Sequence, residues 1–256
     1  MKRVLVIGGS EEFVGAPYLA GIAALRAGAE SVIVMAPENV AWAINALSPD
    51  LMTRKLRGKW LSRAHLRAIR AQMRTADILV LGNGAGVRPE TAALMRSLMR
   101  TPILKVVDAD ALKVLRGNGI VNAILTPNER EWKLLMGQNE IQKLLAANSI
   151  VRKGFPTVIL TGSQKFTLRT NKGLSKAGTG DVLAGMIAGF LACGLSPLAA
   201  SMRACAVGND IANILTKKRR GYDFLASDLA AALPFSRMKL KSRGVKGRRA
   251  SRHIHT

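Results

Sequence analysis

The feature that most constrains the fold of this chain is a series of short, uninterrupted apolar runs separated by helical patterns. A strand with one solvent-facing side alternates apolar and polar residues, so continuous runs rich in Val, Ile and Leu indicate strands buried on both faces. We therefore predict an α/β fold with a doubly wound, mostly parallel sheet flanked by helices. The predicted strands are residues 4–7, 31–34, 78–81, 103–107, 123–125 and 158–160.

Proline marks the start of several helices between these strands. Pro17, Pro89 and Pro197 each open a segment with helical apolar periodicity, and proline is favoured in the first turn of a helix. No repeat of solenoid length interrupts this pattern. We predict one domain over residues 1–235 and a basic tail over residues 236–256.

Composition limits the class of protein. The longest uncharged apolar run, residues 182–195, is shorter than a membrane span and contains glycines. The apolar run after Lys2 and Arg3 is too short for a signal peptide. With two cysteines and no Cys-x-x-Cys pair, neither a disulfide framework nor a tightly protein-ligated metal is expected. We therefore predict a cytoplasmic protein with no membrane segment.

The chain is strongly basic, with a formal net charge of +23. Residues 236–256 hold eight Lys or Arg and no acid, and segments of this composition usually lack order. A basic surface attracts nucleotides and other polyanions. Weak nucleic-acid binding is therefore expected alongside any small-molecule activity.

Small and polar residues follow five of the predicted strands. The segments are GGSEEFVGAP (8–17), GNGAG (82–86), DADAL (108–112), TPNERE (126–131) and TGS (161–163). The carboxyl ends of parallel strands lie along one edge of a sheet, and α/β proteins bind ligands in the crevice outside that edge. We therefore expect these loops to converge on one ligand site.

The stretch KAGTGDVLAG, residues 176–185, places a single acid, Asp181, among small residues at the start of an apolar helix. The backbone N–H groups of Gly178, Thr179 and Gly180 would surround the positive end of this helix, an arrangement that binds phosphate. Asp181 beside them could act as a general base toward a hydroxyl that attacks a phosphoryl group. The alternative role for Asp181 is a helix cap.

Five of these segments together resemble one protein family. AGTGDVLAGMIAGFLACG resembles the signature of the ribokinase-like superfamily, and the Asn-x-x-Glu spacing in TPNERE resembles its element for phosphate-linked magnesium. With IGGSEEFVGAPYLAGIAALRAGAESVIV, ADILVLGNGAG and VVDADAL, they resemble the ADP- or ATP-dependent NAD(P)H-hydrate dehydratases over residues 4–215. The resemblance implies a three-layer ribokinase-like fold.

The resemblance also implies a repair reaction, catalysed by a lyase. Water added to the nicotinamide ring of NADH or NADPH gives a hydrate, and such enzymes phosphorylate its hydroxyl from ADP or ATP before phosphate is eliminated. The implied cofactors and partners are Mg²⁺, ADP or ATP, the NADH or NADPH hydrate, an NAD(P)H-hydrate epimerase on a separate chain, and further copies of this chain in a homo-oligomer.

Roles for individual residues follow from the same resemblance. Asp181 is implied as the base that activates the hydrate hydroxyl. The residues implied to hold nucleotide phosphates are Gly178, Thr179, Gly180, Thr161, Gly162 and Ser163. Those implied to position Mg²⁺ and phosphate are Asn128 and Glu131. The implied hydrate-binding residues are Gly9, Ser10, Gly15, Ala16, Pro17, Gly82, Gly84, Gly86, Asp108 and Asp110.

Three features depart from the family's pattern. Members commonly have Lys-Gly after the penultimate strand, whereas this chain has Thr161, Gly162 and Ser163 at that place, so the lysine is expected to be absent there. The stretch over residues 163–176 is shorter than usual, as though a β-hairpin had been trimmed, and Asn128 stands where many members have a histidine. These departures bear on how the chain holds the nucleotide.

Two other functions are compatible with the sequence. A small-molecule kinase of the ribokinase-like superfamily would share the fold and Asp181 but would not need the GGSEEFVGAP loop. A non-catalytic nucleic-acid-binding protein would account for the charge and for KKRR at residues 217–220, although the tail offers no aromatic residues for stacking on bases. A dinucleotide dehydrogenase is disfavoured because GGSEEFVG does not match Gly-x-Gly-x-x-Gly.

Overall fold

The computed structural model describes residues 2–117, 119–138 and 140–233. It contains one nine-stranded sheet with the strand order β3-β2-β1-β4-β5-β6-β7-β8-β9. The strands are β1 Arg3–Ile7, β2 Ser31–Pro37, β3 Met52–Leu56, β4 Ile78–Leu81, β5 Leu104–Val107, β6 Ala123–Leu125, β7 Asn148–Arg152, β8 Thr157–Thr161 and β9 Gln164–Leu168. The predicted tail, residues 236–256, lies outside the described residues.

Ten helices connect or flank these strands in the described part of the chain. They are α1 Gly15–Arg26, α2 Glu38–Leu47, α3 Leu66–Met73, α4 Pro89–Met99, α5 Asp110–Lys113, α6 Glu129–Gln138, α7 Ile141–Ala147, α8 Thr179–Ala192, α9 Pro197–Arg219 and α10 Ala226–Ala231. No helix among the described residues combines the length and apolar character that crossing a bilayer requires.

Both faces of the sheet are buried, as the continuous apolar runs predict. Alternate residues of β1 enter different cores: Val4 and Val6 pack with α1, α2, α8, α9 and α10, whereas Leu5 and Ile7 pack with α3 to α7. The predicted doubly wound α/β architecture is therefore confirmed.

The last two strands differ from the prediction. Strands β1 to β7 are parallel, but β8 runs antiparallel to β7, with Ser149 opposite Thr161. The sequence analysis did not identify β7 because Asn148 and Ser149 open it and leave only a short apolar core. Since four residues join β7 to β8, too few for a parallel crossover, the chain reverses there, and the carboxyl end of β8 faces the opposite edge of the sheet.

Close contact between α1 and α8 fixes the position of α8. A Cβ atom added at Gly185 or Gly189 would collide with the backbone oxygens of Ala20 and Ala24 respectively. Glycine therefore lets the two helix backbones touch at these points. The middle of α8 is consequently fixed against α1 by direct backbone contact.

Candidate active site

Asp181 lies where two cavities meet at the carboxyl edge of the parallel strands. Cavity A, about 630 Å³, is lined by residues that include Lys153, Asn128, Glu131 and Phe155. Cavity B, about 690 Å³, is lined by residues that include Ser10, Phe13, Trp60, Arg88 and Asp110. Ala109, Ala177, Gly178 and Asp181 line both. A group on Asp181 is therefore within reach of ligands on either side.

The turn before α8 shapes the boundary between the cavities. Gly178 is the N-cap residue with φ +84°, and a Cβ there would lie 2.8 Å from both Leu19 and Ala226. Because Gly178 caps the helix, Asp181 lies inside the first turn and does not cap it. The first turn thus presents the positive end of α8 at the cavity boundary.

Thr179 has a different role from the predicted anion contact. Its N–H donates to the backbone oxygen of Lys176 (3.2 Å), and its hydroxyl donates to the backbone oxygens of Leu174 and Lys176 (2.7 Å each). Thr179 therefore holds the preceding loop in place. Of the three residues predicted there, Gly178 and Gly180 are the better placed to present backbone N–H groups to a phosphate.

Asn83 holds the Asp181 carboxylate. The Asn83 amide nitrogen donates to Asp181 Oδ1 at 2.6 Å and to Asp108 Oδ2 at 3.1 Å, so one buried NH₂ group bridges two acids. Burial, and then the charge of Asp108, raise the pKa of Asp181 to about 7, while Asn83 and Lys153 act in the opposite direction. Asp181 can therefore accept a proton near neutral pH.

Asp108 and Lys153 form the charged floor of cavity A. Asp108 is almost fully buried and accepts hydrogen bonds from Thr126 Oγ1 and Lys153 Nζ, both at 2.7 Å. Burial lowers the pKa of Lys153, but the carboxylates of Asp108 and Glu131 raise it by more. A Cβ at Gly180 would lie 3.0 Å from Lys153 Nζ. The ammonium group therefore lies over the first turn of α8, where two sources of positive potential add.

The expected absence of a Lys-Gly pair at the site is wrong. Lys153 and Gly154 directly follow β7, the strand that the sequence analysis did not identify, and both line cavity A. Residues 161–163 lie instead at the end of the antiparallel strand β8 and in the turn after it. The sequence does contain the pattern of a strand end followed by Lys-Gly: in IVRKG, two β-branched residues precede Arg152, Lys153 and Gly154.

The predicted phosphate contacts Thr161, Gly162 and Ser163 are correspondingly misplaced. Thr161 is the last residue of β8, and Gly162 and Ser163 form the turn to β9. The Thr161 hydroxyl accepts a hydrogen bond from Ser149 Oγ, at the start of β7, at 3.0 Å. Because β8 is antiparallel, this turn lies at the edge opposite Asp181. The hairpin itself is present and short, since Gly162 and Ser163 alone join its strands.

Asn128 and Glu131 cap α6 reciprocally. The N–H of Asn128 donates to Glu131 Oε2 (2.9 Å), and the N–H of Glu131 donates to Asn128 Oδ1 (3.0 Å). Glu131 is buried at the wall of cavity A, and burial raises its pKa. One carboxylate with an oxygen beyond this capping bond fits Mg²⁺, which is commonly held by one or two carboxylates together with substrate phosphates.

Some residues of the two glycine loops, 8–17 and 82–86, line cavity B, and others do not. Of the predicted hydrate-binding residues, those that line it are Ser10, Ala16, Gly84, Gly86 and Asp110. Asp110 is held by the N–H of Gly86 (2.8 Å) and by Lys113 Nζ (2.7 Å).

The other predicted hydrate-binding residues do not line cavity B. Gly9, Gly15, Pro17 and Gly82 line neither cavity, and Asp108 lines cavity A instead. Gly82 has φ +106°, and a Cβ there would lie 2.6 Å from the backbone nitrogen of Ala111. Gly82 therefore lets the GNGAG loop approach α5.

Aromatic residues of cavity B had been missed by sequence reasoning. Phe13 and Trp60 are 51% and 38% exposed, and the Arg88 guanidinium lies 4.0 Å from the Trp60 ring centre. Phe13 lies within the GGSEEFVGAP segment, but Trp60 and Arg88 lie outside all five segments. Their position is a consequence of the fold.

This fold, in which Asp181 at the start of α8 lies between two cavities, is a ribokinase-like fold. A solved ribokinase-like superfamily protein from Enterococcus faecalis has the same fold, with a TM-score of 0.77, 23% identity, and coverage of 91% of this chain and 85% of that one. The chain belongs to the NAD(P)H-hydrate dehydratase family, whose sequence model matches residues 4–234.

Individual relatives are consistent with this family. The bifunctional NAD(P)H-hydrate repair enzyme Nnr of Pyrobaculum aerophilum is 37% identical over 249 residues, which cover 91% of this chain and 50% of that protein. The chain thus spans about half the length of such bifunctional relatives. An ADP-dependent (S)-NAD(P)H-hydrate dehydratase from Cenarchaeum symbiosum is 32% identical, with coverage of 91% and 87%.

A solved structure also matches. The ADP/ATP-dependent NAD(P)H-hydrate dehydratase from Bacillus subtilis, co-crystallised with ATP/Mg²⁺, is 26% identical with a TM-score of 0.74, covering 91% of this chain and 87% of that one. The family predicted from the five sequence segments is confirmed.

Proposed function

We propose that this chain is a nucleotide-dependent NAD(P)H-hydrate dehydratase, a lyase that phosphorylates the hydroxyl of hydrated NADH or NADPH and then eliminates phosphate. The observation that carries the proposal is the position of Asp181 at the junction of two cavities. One cavity has the charges that a phosphoryl donor requires, and the other has exposed aromatic surface. A base between them can act on an acceptor hydroxyl while facing a donor phosphate.

Cavity A is proposed to hold ADP or ATP. Lys153 and the positive end of α8 converge on one place, where both would stabilise charge on a transferring phosphoryl group. Phe155 lines the same cavity and is 52% exposed, which makes it available to stack on an adenine ring. One relative is named as ADP-dependent and another as ADP/ATP-dependent. The proposal therefore includes both ADP and ATP as phosphoryl donors.

Cavity B is proposed to hold the hydrated dinucleotide. Phe13 and Trp60 offer aromatic faces, and Lys59, Arg88 and Lys113 offer cations for a pyrophosphate. The Asp181 carboxylate lies on the wall of this cavity as well. A hydroxyl bound at this wall would face the base directly.

The proposed reaction proceeds in two steps. Asp181 accepts the proton of the hydrate hydroxyl as its oxygen attacks the terminal phosphorus, and the bond from that phosphorus to the bridging oxygen of the nucleotide breaks. Lys153 and the first turn of α8 stabilise the charge that develops. The electron pair of the ring nitrogen then expels phosphate, and loss of a proton from the neighbouring carbon restores the dihydronicotinamide.

Mg²⁺ is proposed to lie beside Glu131 in cavity A. When bound, it would neutralise negative charge on the nucleotide phosphates. The residues of the chain supply the remaining effects: Lys153 binds the donor, Asn83 orients the base, and Asp181 moves the proton.

The first experiment mixes purified protein with NADH hydrate, Mg²⁺ and either ADP or ATP, and follows the return of dihydronicotinamide absorbance. Recovery that depends on one nucleotide supports the proposal and identifies the donor. Nucleotide consumption with an alcohol, without recovered absorbance from the hydrate, would favour a small-molecule kinase instead. Asp181→Asn is the matched control: it keeps the shape of the side chain, and we expect nucleotide binding to remain and turnover to disappear.

The remaining expectations for the whole protein stay predictions. They are an epimerase activity on a separate chain, a homo-oligomer, a cytoplasmic location and a basic tail over residues 236–256. We do not favour the non-catalytic nucleic-acid-binding protein. Binding of nucleic acid alone does not require a pair of acids, Asp108 and Asp181, that one amide bridges beside the cavities.

A further inference from the structure

The edge of the sheet farthest from β9 carries a row of arginines outside both cavities. Between Asp50 and Asp77 the sequence holds eight Lys or Arg and no Asp or Glu. These residues belong to the edge strand β3, to a 3-10 turn over Arg63–His65, to α3 and to the loops around them. This basic segment differs from the KKRR run and the tail considered above.

Four of these residues form what we call the arginine row: Arg63, Arg67, Arg70 and Arg74. Spacings of four, three and four residues keep side chains on one face of a helix. All four are exposed, whereas Ile69 of the same helix is buried against the sheet. At 1.5 Å per residue, the row extends over roughly 16 Å.

The neighbouring strand carries further basic residues, on a different side of α3. Arg54 of β3 donates from Nε to the Gln72 side chain of α3 at 3.4 Å. Gln72 is two residues from both Arg70 and Arg74, so it does not share their face of the helix. Arg57 follows β3 and is exposed as well. The proposal below therefore rests on the four arginines of the row.

The charge of the arginine row is not compensated by acids. None of the ion pairs formed by the described residues includes an arginine of the row. The nearby Asp77 accepts a hydrogen bond from the N–H of Arg3 at 2.8 Å. Like charges three and four residues apart on a helix repel one another and destabilise it. The row is therefore kept at a cost in folding stability.

We propose that the arginine row binds the phosphodiester backbone of nucleic acid, without preference for base sequence. Arginine suits this ligand because its planar guanidinium donates two hydrogen bonds to one phosphate. A row of like charges along a helix matches a chain of phosphates better than it matches a single nucleotide. Neither cavity includes these arginines among its lining residues, so this binding is separate from the proposed catalysis.

The surface is less suited to a lipid bilayer. Interfacial helices insert Trp, Phe or Leu beside their basic residues. The exposed neutral positions between these arginines are Ala64, Ala68 and Ala71, which are too small to insert. Charge alone would draw the protein to an anionic membrane, but nothing on this face would anchor it there.

The test measures binding of a labelled single-stranded RNA of mixed sequence by fluorescence anisotropy, at several salt concentrations. The row variant replaces Arg63, Arg67, Arg70 and Arg74 by Gln. The matched control replaces four exposed lysines outside both the row and the KKRR run, Lys133, Lys143, Lys165 and Lys172, by Gln, and so lowers the net charge equally.

We expect the row variant to bind RNA roughly tenfold more weakly at 0.1 M salt, with the salt slope reduced by about three, since each phosphate contact contributes about 0.7. The control should lose less than a third of this slope. Equal losses in both variants would overturn the proposal and assign the binding to net charge. Loss of binding to phosphatidylserine vesicles, with RNA binding unchanged, would assign the row to a membrane surface. Thermal unfolding of both variants verifies that they fold.

Discussion

Replacing Asn83 tests how the site controls the protonation of its base. Asn83→Leu keeps the approximate size of the side chain and removes the amide that donates to Asp181 Oδ1 at 2.6 Å. A hydrogen bond to a charged group contributes about 1.5–3 kcal/mol, and one pKa unit corresponds to about 1.4 kcal/mol. Since this bond stabilises the ionised form, we expect the pKa of Asp181 to rise by about one to two units.

The sign of the effect follows from the role of the base. Asp181 must be ionised to accept a proton, so kcat/KM rises with pH through its pKa, about 7 in the native protein. If the pKa rises by one unit, the ionised fraction at pH 7 falls from about one half to about one tenth. We expect roughly fivefold lower kcat/KM at pH 7 and recovery near pH 9.

The assay is the pH profile of kcat/KM for hydrate repair between pH 5.5 and pH 9.5. Thr126→Val is the matched control, because Thr126 donates to Asp108 Oδ1 at 2.7 Å and not to Asp181. The acidic limb of the pH profile of Thr126→Val should move much less than that of Asn83→Leu. A loss in the Asn83 variant that is equal at every pH, with an unmoved limb, would show that Asn83 only supports the loop and would refute this reasoning.

Three further predictions concern single residues elsewhere in the molecule. Lys153→Met should weaken ADP or ATP binding about tenfold or more, because a charged hydrogen-bonding partner is lost in a buried site; calorimetric titration that finds native affinity would contradict the assignment of cavity A. Lys105 is buried in β5, and burial lowers its pKa to about 8. Between pH 8 and 10.5 the unfolded chain keeps the Lys105 proton and the folded protein does not, so the free energy of unfolding of the native protein should rise with pH. Relative to Lys105→Met, this gain should be on the order of 2–3 kcal/mol. If urea unfolding gives the same difference in stability between the two proteins at both pH values, the prediction is wrong. Gly185→Ala should destabilise the protein by about 1–3 kcal/mol, because its Cβ would strike the Ala20 oxygen, and an unchanged thermal midpoint would show that α1 and α8 can separate freely.

The sequence predicted the parts of the fold that depend on local pattern. Runs such as residues 78–81 have the apolar character that burial on both faces requires, and this run is the parallel strand β4 inside the sheet. The run over residues 158–160 is also a strand, but β8 is antiparallel. The strands that it missed have little of this character. Edge strand β3, MTRKL, is mostly polar because one side has no neighbour, and β9, QKFTL, is the other edge.

Parts of the site depended on pairing that no local pattern reveals. Lys153 was overlooked because β7 was overlooked, and the prediction then moved to residues 161–163 behind an antiparallel strand. Asn83 contacts Asp181 across 98 positions of sequence. The glycines of the GNGAG loop are a recognisable local signal. The acceptor of its Asn83 side chain is not, because Asp181 reaches Asn83 only when the fold brings α8 next to the end of β4.

The backbone contact between α1 and α8 has a mechanical consequence for the site. Helix α1 begins directly after the loop that carries Ser10 and Phe13 of cavity B, and α8 carries Asp181. Because glycine brings the backbones of these two helices into direct contact, a shift of α1 would move α8 with it. The proposed base and this wall of cavity B would therefore shift together, whereas Thr157 of β8 and Leu168 of β9, which line cavity A, take no part in this helix contact.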